Sequence, residues 1–306
     1  MTPCGKIGMP LWNKPILLAI SGGLDSMCML HRFAKENVYA AYVNHGIRQD
    51  ASEDAKLIKK KCEEYGVQFY ELFISPQKNE NNFEAIAREA RYNALFELKN
   101  KLGTEWVATA HHKDDQAETV FLRMARGAGL KGLRGILPER QDGVIRPMLE
   151  FTKQDLLKYA KENSIEWRED STNKNINHFR NRVRLQILPQ MESSTINSLV
   201  HIAELSQRVY PKVLKMLDSY FNPFLVSAEG SIVLRHFYLP PMQGYGELFR
   251  LWLGSKGITW EETSEDAKLY EKLQKKDSFR FGLGKIRFER KKGLVTIAKI
   301  QEKFYI

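Results

Sequence analysis

The sequence predicts an α/β protein: a doubly wound, mainly parallel sheet carrying a phosphate-binding loop, then a linker helix and a small C-terminal domain. Three observations carry that prediction. Apolar runs of strand length alternate with helical stretches through the first 190 residues. The links between them are short, which implies parallel strands covered by helices on both faces. The first strand, Pro15-Ile16-Leu17-Leu18-Ala19-Ile20, runs straight into Ser21-Gly22-Gly23-Leu24-Asp25-Ser26.

In that loop two glycines permit a sharp turn and bring backbone N–H groups close to an anion. Ser21 and Ser26 add hydroxyl donors, and Met27, Leu30, Phe33 and Ala34 continue as a helix whose N-terminus is positive. Phosphate is the natural guest. The loop lacks the lysine of G-x-x-x-x-G-K-[ST] and is not G-x-G-x-x-G. The second strand spans 38–45. A helix from about Ser52 puts Ala55, Ile58, Cys62 and Tyr65 on one face. The third strand spans 67–74. Asn82 is placed to cap a helix with a stripe of Phe83, Ile86, Ala90, Ala94 and Leu98. The fourth strand is 106–110, and the helix after it carries Ala117, Val120, Phe121 and Met124. Loops after strands one, two and four can converge on one crevice at the carboxyl ends of the sheet.

Four glycines within 127–135 make a flexible or tightly folded loop, cationic through Arg126, Lys131 and Arg134. Thr152 and Asp155 mark the next helix start. A polar turn, 170–173, precedes a helix over 178–189 that carries Arg180, Arg182 and Arg184. A long helix follows from about Ser194 to Tyr220. Beyond it, short strands at 231–234 and 279–298 flank helices near 246–254 and 262–275. The expected division is 1–190 a domain carrying the phosphate loop, 191–220 a linker helix and 221–306 a small C-terminal domain.

Composition narrows the class. A chain of 306 residues with 43% hydrophobic content supports a real core and two domains. There is no apolar run of about 18 residues, so no membrane span is expected, and the first thirteen residues lack a signal pattern. Cys4, Cys28 and Cys62 have no C-x-x-C spacing, which argues against a disulfide framework, a zinc knuckle or a cysteine-ligated iron–sulfur cluster. A cytoplasmic protein fits best. The net charge of +10 favours an anionic partner, nucleic acid first.

Three further constellations carry chemistry. In the stretch 110–119, helical spacing puts His111, Asp115 and Glu118 on one face, with Asp114 paired to Glu118. Such a cluster suits a divalent metal, a cationic substrate or both. Asn44, His45 and Arg48 close the second strand, and Arg88, Arg91 and Tyr92 share a helix.

Together these stretches resemble the tRNA(Ile)-lysidine synthetases of the PP-loop ATP pyrophosphatase superfamily, whose fold is Rossmann-like. The resemblance rests on S-G-G-x-D-S at 21–26, V-N-H-x-[LI]-R at 43–48 and A-H-H-x-D-D-Q-x-E-T at 110–119. It continues through R-G-x-G-x-x-G-L-x-G at 126–135, R-P at 146–147 and D-x-[ST]-N with R-N-x-x-R and Leu-Pro across 170–189. The stretch 84–92 loosely matches the family's Glu-Ala-x-R-x-x-R-Tyr pattern, with Ile86 where a small residue is expected. The likeness covers about 15–190. Many members carry a further C-terminal domain, for which this chain is expected to be too short. The resemblance implies ATP-dependent attachment of free L-lysine to C2 of the wobble cytidine of a CAU-anticodon tRNA(Ile), through an adenylated cytidine, changing codon specificity from AUG to AUA. With the residue reading it implies that Ser21, Gly22, Gly23, Leu24, Asp25, Ser26, Asn44, His45, Arg48, His111 and His112 bind ATP. Asp25 takes Mg²⁺. Asp25, Arg88, Asp115, Glu118 and Arg180 act in catalysis, with Arg91 and Arg126 further candidates for phosphate charge. Asp114, Asp115 and Glu118 receive lysine, while Arg126, Lys131, Arg134, Arg182 and Arg184 bind tRNA. A homodimer is compatible with this reading. Two alternatives stay open: a PP-loop thiolase, disfavoured by the lack of paired cysteines, and a non-catalytic RNA-binding protein with a degenerate nucleotide fold.

Overall fold

A computed structural model describes residues 14–44, 51–74, 83–169, 179–227, 231–240, 244–260 and 265–299. The chain divides into two compact units, Met1–Gln207 and Arg208–Ile306. The first unit runs β1 (Ile16–Ala19), α1 (Leu24–Phe33), β2 (Val38–Asn44), α2 (Ala51–Tyr65), β3 (Gln68–Phe73) and α3 (Phe83–Leu102). It continues with β4 (Trp106–Thr109), α4 (Lys113–Met124), α5 (Leu130–Leu133), β5 (Glu139–Arg140), β6 (Val144–Ile145) and α6 (Lys153–Glu162). The sheet order is β3-β2-β1-β4-β6-β5, parallel throughout except for β5 against β6.

The chain lays β2 and β3 on one side of β1, then crosses back to place β4 on the other. The connections leaving β1 and β4 therefore part in opposite directions, and their carboxyl ends frame a crevice. The unbroken apolar character of β1 follows from its position. Ile16 and Leu18 pack with Met27, Leu30 and Phe33 of α1 and Leu156 and Ala160 of α6. Leu17 points the other way, into a cluster with Ala41, Val107 and the α3 residues Leu95 and Leu98. A strand covered on both faces has no polar side to show.

On α3 the structure bears out Leu98 of the expected stripe and corrects the rest. Tyr92, Leu95 and Leu98 are buried, while Ile86, Ala90 and Ala94 are half-buried. Leu95 and Leu98 reach the sheet, which alanine is too short to do. Asn82 and the side chain of Phe83 lie outside the described residues.

The helix expected over 178–189 is three kinds of turn. An α-helical turn, α7 (Phe179–Arg182), leads into a π-helical turn, Val183–Ile187, and a 3₁₀ turn, Leu188–Gln190, entered through Pro189. Then α8 (Ser193–Phe221) begins, and its Leu199, Val200 and Ala203 pack on Ala117 and Val120 of α4.

The second unit is α+β. Its strands β7 (Leu225–Ser227) and β8 (Ser231–Arg235) precede α9 (Tyr245–Ser255) and α10 (Glu265–Gln274). After them come β9 (Phe279–Leu283), β10 (Ile286–Lys291) and β11 (Leu294–Lys299). The sheet is antiparallel, in the order β7-β8-β11-β10-β9. Its core is aromatic, with Phe221, Phe237, Phe249, Trp252 and Phe288 fully buried and Phe237 stacked on Phe249 at 4.8 Å. Among the described residues no helix is long and apolar enough to cross a membrane.

One buried charge organises this unit. Arg290 on β10 is 3% exposed and donates to the carbonyls of Phe237 at 2.7 Å, Leu273 at 3.1 Å and Lys275, so it closes the C-terminal end of α10. Orphan carbonyls at a helix end need such donors. Arg290→Met keeps the stem and strips the donors. It is expected to lower the unfolding free energy by about 2–4 kcal/mol, read by chemical denaturation. Arg280→Met, which breaks the exposed Arg280–Glu289 pair on the same sheet, should leave the midpoint nearly unmoved.

Candidate active site

The glycine loop is stapled from within. Gly22 has φ +83°, a left-handed conformation suited to glycine, and Gly23 is extended and caps α1. The Ser26 hydroxyl donates to Gly23 O at 3.0 Å and accepts the Ser21 N–H at 3.1 Å, with Ser21 Oγ at 3.2 Å. Ser26 was expected to offer its hydroxyl to phosphate; here that hydroxyl holds the loop shape. Leu24 is buried in the core, so its side chain packs and only its backbone faces the loop. The first intrahelical bond runs from Met27 N–H to Gly23 O, which leaves the N–H groups of Leu24, Asp25 and Ser26 at the open helix end.

At the end of the neighbouring strand, His111 lies before α4 rather than on it, and its Nδ1 is 2.9 Å from Thr109 Oγ1. The expected helical face of His111, Asp115 and Glu118 is thereby corrected. His112 is in extended conformation as the cap of α4, and its N–H donates to Asp115 Oδ2 at 3.0 Å, so the helix cannot start at His111. The His112 ring joins the two loops. Its Nε2 is 3.7 Å from Asp25 Oδ2 and 3.5 Å from Asp115 Oδ2, and its Nδ1 is 3.4 Å from Asp114 Oδ2. Asp114 Oδ2 also accepts the Lys153 backbone N–H at 2.8 Å. The other oxygen of Asp25, Oδ1, is buried with no hydrogen-bond partner. Burial raises the Asp25 pKa, against the pull of His112.

Glu118 and Asp115 are held by arginines. Glu118, 1% exposed, accepts from Arg180 Nε on one oxygen and from Arg184 Nε on the other at 2.7 Å. Arg184 Nη2 also donates to Asp115 Oδ1 at 2.8 Å. Arg184, expected on tRNA, therefore sits in the carboxylate cluster. The residues expected to receive lysine, Asp115 and Glu118, have their oxygens engaged. Arg182, between the two arms, is exposed and lies over the Phe179 ring at 5.5 Å.

A second cationic group surrounds Tyr92. The guanidinium carbons of Arg88, Arg140 and Arg91 lie 5.0, 5.0 and 5.5 Å from its ring centre. Arg146 is buried beside them and donates to Leu137 O. The glycine-rich segment 127–135 is a tight fold around α5. Arg123 donates to Gly132 O at 2.7 Å and Gly135 O at 2.9 Å, and Gln116 Nε2 donates to Ile136 O at 3.0 Å. A side chain at Gly135 would collide with the Gln116 carboxamide. Arg126 and Lys131 are exposed, and Arg134 is half-buried. Asn44 donates to Glu71 Oε1 on β3 at 3.1 Å. His45 and Arg48 lie outside the described residues. Arg123 and Arg140 escaped the sequence reading, and Gln116 entered it only as a member of the 110–119 motif, without a role. Arg140 gave no signal beyond a charged turn, whereas Arg123 and Gln116 fall at helical spacing next to the acidic cluster.

Among the described residues no three His, Cys, Asp or Glu side chains form a metal cage. An Mg²⁺ ion carried by phosphates needs only one or two protein carboxylates, and the unpartnered Asp25 Oδ1 fits that. Cys28 and Cys62 are buried, and burial pushes both thiols up to about 12.

Comparison with known proteins gives a consistent set. A family model described as a PP-loop domain matches residues 5–191. The tRNA(Ile)-lysidine synthase of Clostridium tetani is 36% identical over 208 residues, covering 64% of this chain and 44% of that one. Its namesake in Chlorobaculum tepidum is 34% identical over 224 residues, 67% of each chain. That of Haemophilus ducreyi is 34% identical over 256 residues, 79% of this chain and 58% of the other. The chain spans about half the length of most of the curated relatives it matches. Among solved structures, the U34-tRNA thiolase NcsA from Methanococcus maripaludis, with its 4Fe-4S cluster, shares the fold. Its TM-score is 0.54 at 20% identity, over 64% of this chain and 72% of that one.

The two histidines should titrate apart. Burial, with Arg146, Arg88 and Arg91 outweighing the pull of Asp115, takes His111 down to about 4. Burial also works against protonated His112, but Asp114, Asp115 and Asp25 together raise it above its usual value. The unfolded chain thus takes a proton on His111 more readily than the fold, and this contribution to stability falls as pH drops from 6.5 to 4. The His112 contribution is full below 6.5 and is lost as pH rises through its folded value. Imidazole NMR at pH 6 should find His111 neutral and His112 charged. His111→Gln should flatten the acid loss of stability between pH 6.5 and 4. A His111 titrating near 6.5 would contradict this.

Proposed function

The chain belongs to the tRNA(Ile)-lysidine synthase family of PP-loop proteins, and from that premise we propose that it ligates free L-lysine to C2 of the wobble cytidine of CAU-anticodon tRNA(Ile). ATP supplies the activation and lysidine is the product. The observation that carries this reading is the juxtaposition across His112. An anion-binding helix end with an unpartnered carboxylate oxygen on Asp25 lies on one side, and the acidic group Asp115–Glu118 on the other.

The N–H groups of the glycine loop and of the first turn of α1 receive the β- and γ-phosphates. Cytidine O2 attacks the α-phosphorus, the bond to the bridging oxygen breaks, and pyrophosphate leaves against the loop. Asp25 would hold Mg²⁺, which would supply charge neutralisation for that leaving group. The lysine ε-amine then attacks C2, the C2–O2 bond breaks, and AMP leaves with that oxygen. Lysine arrives as an ammonium, with a reference pKa near about 10.4. Asp114, Asp115 and Glu118 supply the counter-charge, and one of these carboxylates takes the proton that the ammonium loses as the amine attacks. Because Arg180 and Arg184 occupy Glu118 and Asp115 here, lysine enters by exchange: its ammonium takes a carboxylate and a freed guanidinium turns to phosphate charge. His111 and His112 border the nucleotide. Arg88 and Arg91 face charge on the RNA or ATP, and Arg126, Lys131, Arg134 and Arg182 hold tRNA, together with residues 221–306.

Asp25→Ala should reduce pyrophosphate release by about 10²–10³-fold while unfolding stays cooperative; near-full turnover would remove Asp25 from the mechanism. Glu118→Gln should raise the KM for lysine by roughly tenfold, about 1.4 kcal/mol, and spare adenylation of tRNA measured without lysine. If adenylation is lost instead and added Mg²⁺ restores it, Glu118 serves the metal and lysine binds elsewhere.

A further inference from the structure

Gly22 is met from behind by two elements remote in sequence. The backbone N–H of Arg168, in the segment after α6, donates to Gly22 O at 3.0 Å. The Arg168 guanidinium reaches across to α2, where its Nε is 2.8 Å from Asp54 Oδ1. Asp54, 14% exposed at its side chain, packs over the glycine itself. A Cβ added to Gly22 would lie 3.4 Å from Asp54 Cβ and 3.7 Å from its Oδ1.

The geometry has a directional consequence. A trans peptide holds its C=O and N–H on opposite sides, and the described residues contain no cis peptide bond. Tethering Gly22 O to Arg168 therefore turns the Gly23 N–H the opposite way, off the back of the loop. The left-handed φ of Gly22 permits this turn but does not select it, because glycine is free to adopt many others. Selection has to come from outside the loop. The internal staple through Ser26 grips Ser21 and Gly23 and has no bond to Gly22 O.

We infer that Asp54 and Arg168 are positioning residues for the phosphate loop, fixing the Gly22–Gly23 peptide so that its N–H is presented to ATP. They have this role only if the loop holds ATP, as proposed above. Neither touches the reacting atoms. Asp54 orients the Arg168 side chain and shields the glycine, while Arg168 supplies the tether from its main chain. The pair acts as one unit, so losing either member should cost about what losing both costs.

The test uses the full chain and three variants. Arg168→Met keeps the aliphatic stem and the backbone N–H and removes the donor. Asp54→Ala removes the acceptor, and Asp54→Asn keeps an acceptor of the same shape. ATP affinity is measured by calorimetry, and KM values for ATP and lysine by pyrophosphate release. Arg168→Met and Asp54→Ala are expected to raise the KM for ATP by about tenfold. The KM for lysine and the thermal midpoint should stay near wild type, the double variant should be no worse than either single, and Asp54→Asn should recover most of the loss. An unchanged KM for ATP in Arg168→Met, with wild type binding ATP normally, overturns the positioning role and leaves the ligase reading intact. A parallel rise in both KM values that tracks a fall in the thermal midpoint also overturns it, as a purely structural effect. If wild type itself neither binds ATP nor releases pyrophosphate, the functional reading falls first and this one with it. Should Asp54→Ala fail to fold, Arg168→Met and Asp54→Asn decide alone.

Discussion

The buried carboxylate of Glu118 is the constraint on which the arrangement of the site depends. A carboxylate this far from water is tolerated only with hydrogen-bonded counter-charges, and leaving one unpaired costs about 3–5 kcal/mol. Here both oxygens face guanidinium groups. The pairing joins α4 to a stretch more than sixty residues later in the chain, because Arg180 and Arg184 cannot reach Glu118 unless α7 and the turn after it lie along α4. Arg184 extends the same bond to Asp115, whose second oxygen caps α4 through His112. One ion cluster thus sets the start of a helix, the path of a remote segment and the charge of the crevice.

That cluster faces a second environment of opposite sign. His111 is held well below the usual imidazole pKa by burial first, with the positive field of Arg146, Arg88 and Arg91 adding to it. Around His112 the field is negative, and Asp114, Asp115 and Asp25 outweigh burial and hold its imidazole above the usual pKa. Two adjacent histidines are driven apart because the strand end directs one toward the arginines of α3 and the other toward the aspartates of α1 and α4. A site divided in this way suits a reaction that brings polyanionic nucleotide and a cationic amine to the same place.

Much of this was legible in the sequence, and the parts that were not share a cause. The parallel sheet and the loop at residues 21–26 could be read because a strand buried on both faces is apolar throughout and a left-handed turn calls for glycine. The acidic group after the fourth strand could be read from its spacing. What spacing could not give was the helix start: a cap is decided by hydrogen bonds, and placing it at His112 removed His111 from the expected face. Pairings across long stretches of chain were equally hidden. Arg180, Arg182 and Arg184 look alike in sequence, yet the outer two close on Glu118 and the middle one lies over Phe179. On α3, Leu98 is buried as expected, but Tyr92 and Leu95 take the place of Ile86, Ala90 and Ala94 because depth of reach, not periodicity alone, decides which side chains meet the sheet. The Arg168 tether involves a main-chain N–H, which carries no trace in residue identity.

The π-helical turn at Val183–Ile187 bears on what chain-length changes this protein can absorb. Each residue of an α-helix advances about 100° around the axis, so a widened turn holds one residue more than the helix on either side requires. Arg180 lies in α7 and Arg184 inside the widened turn, both closing on Glu118, and the chain then passes into the 3₁₀ turn that contains Pro189. The segment adjusts the angular phase between α7 and the 3₁₀ turn. An insertion or deletion within it would be felt as a rotation of everything downstream rather than as a gap, and the arginine arms would keep their grip only if the change fell on the far side of Arg184.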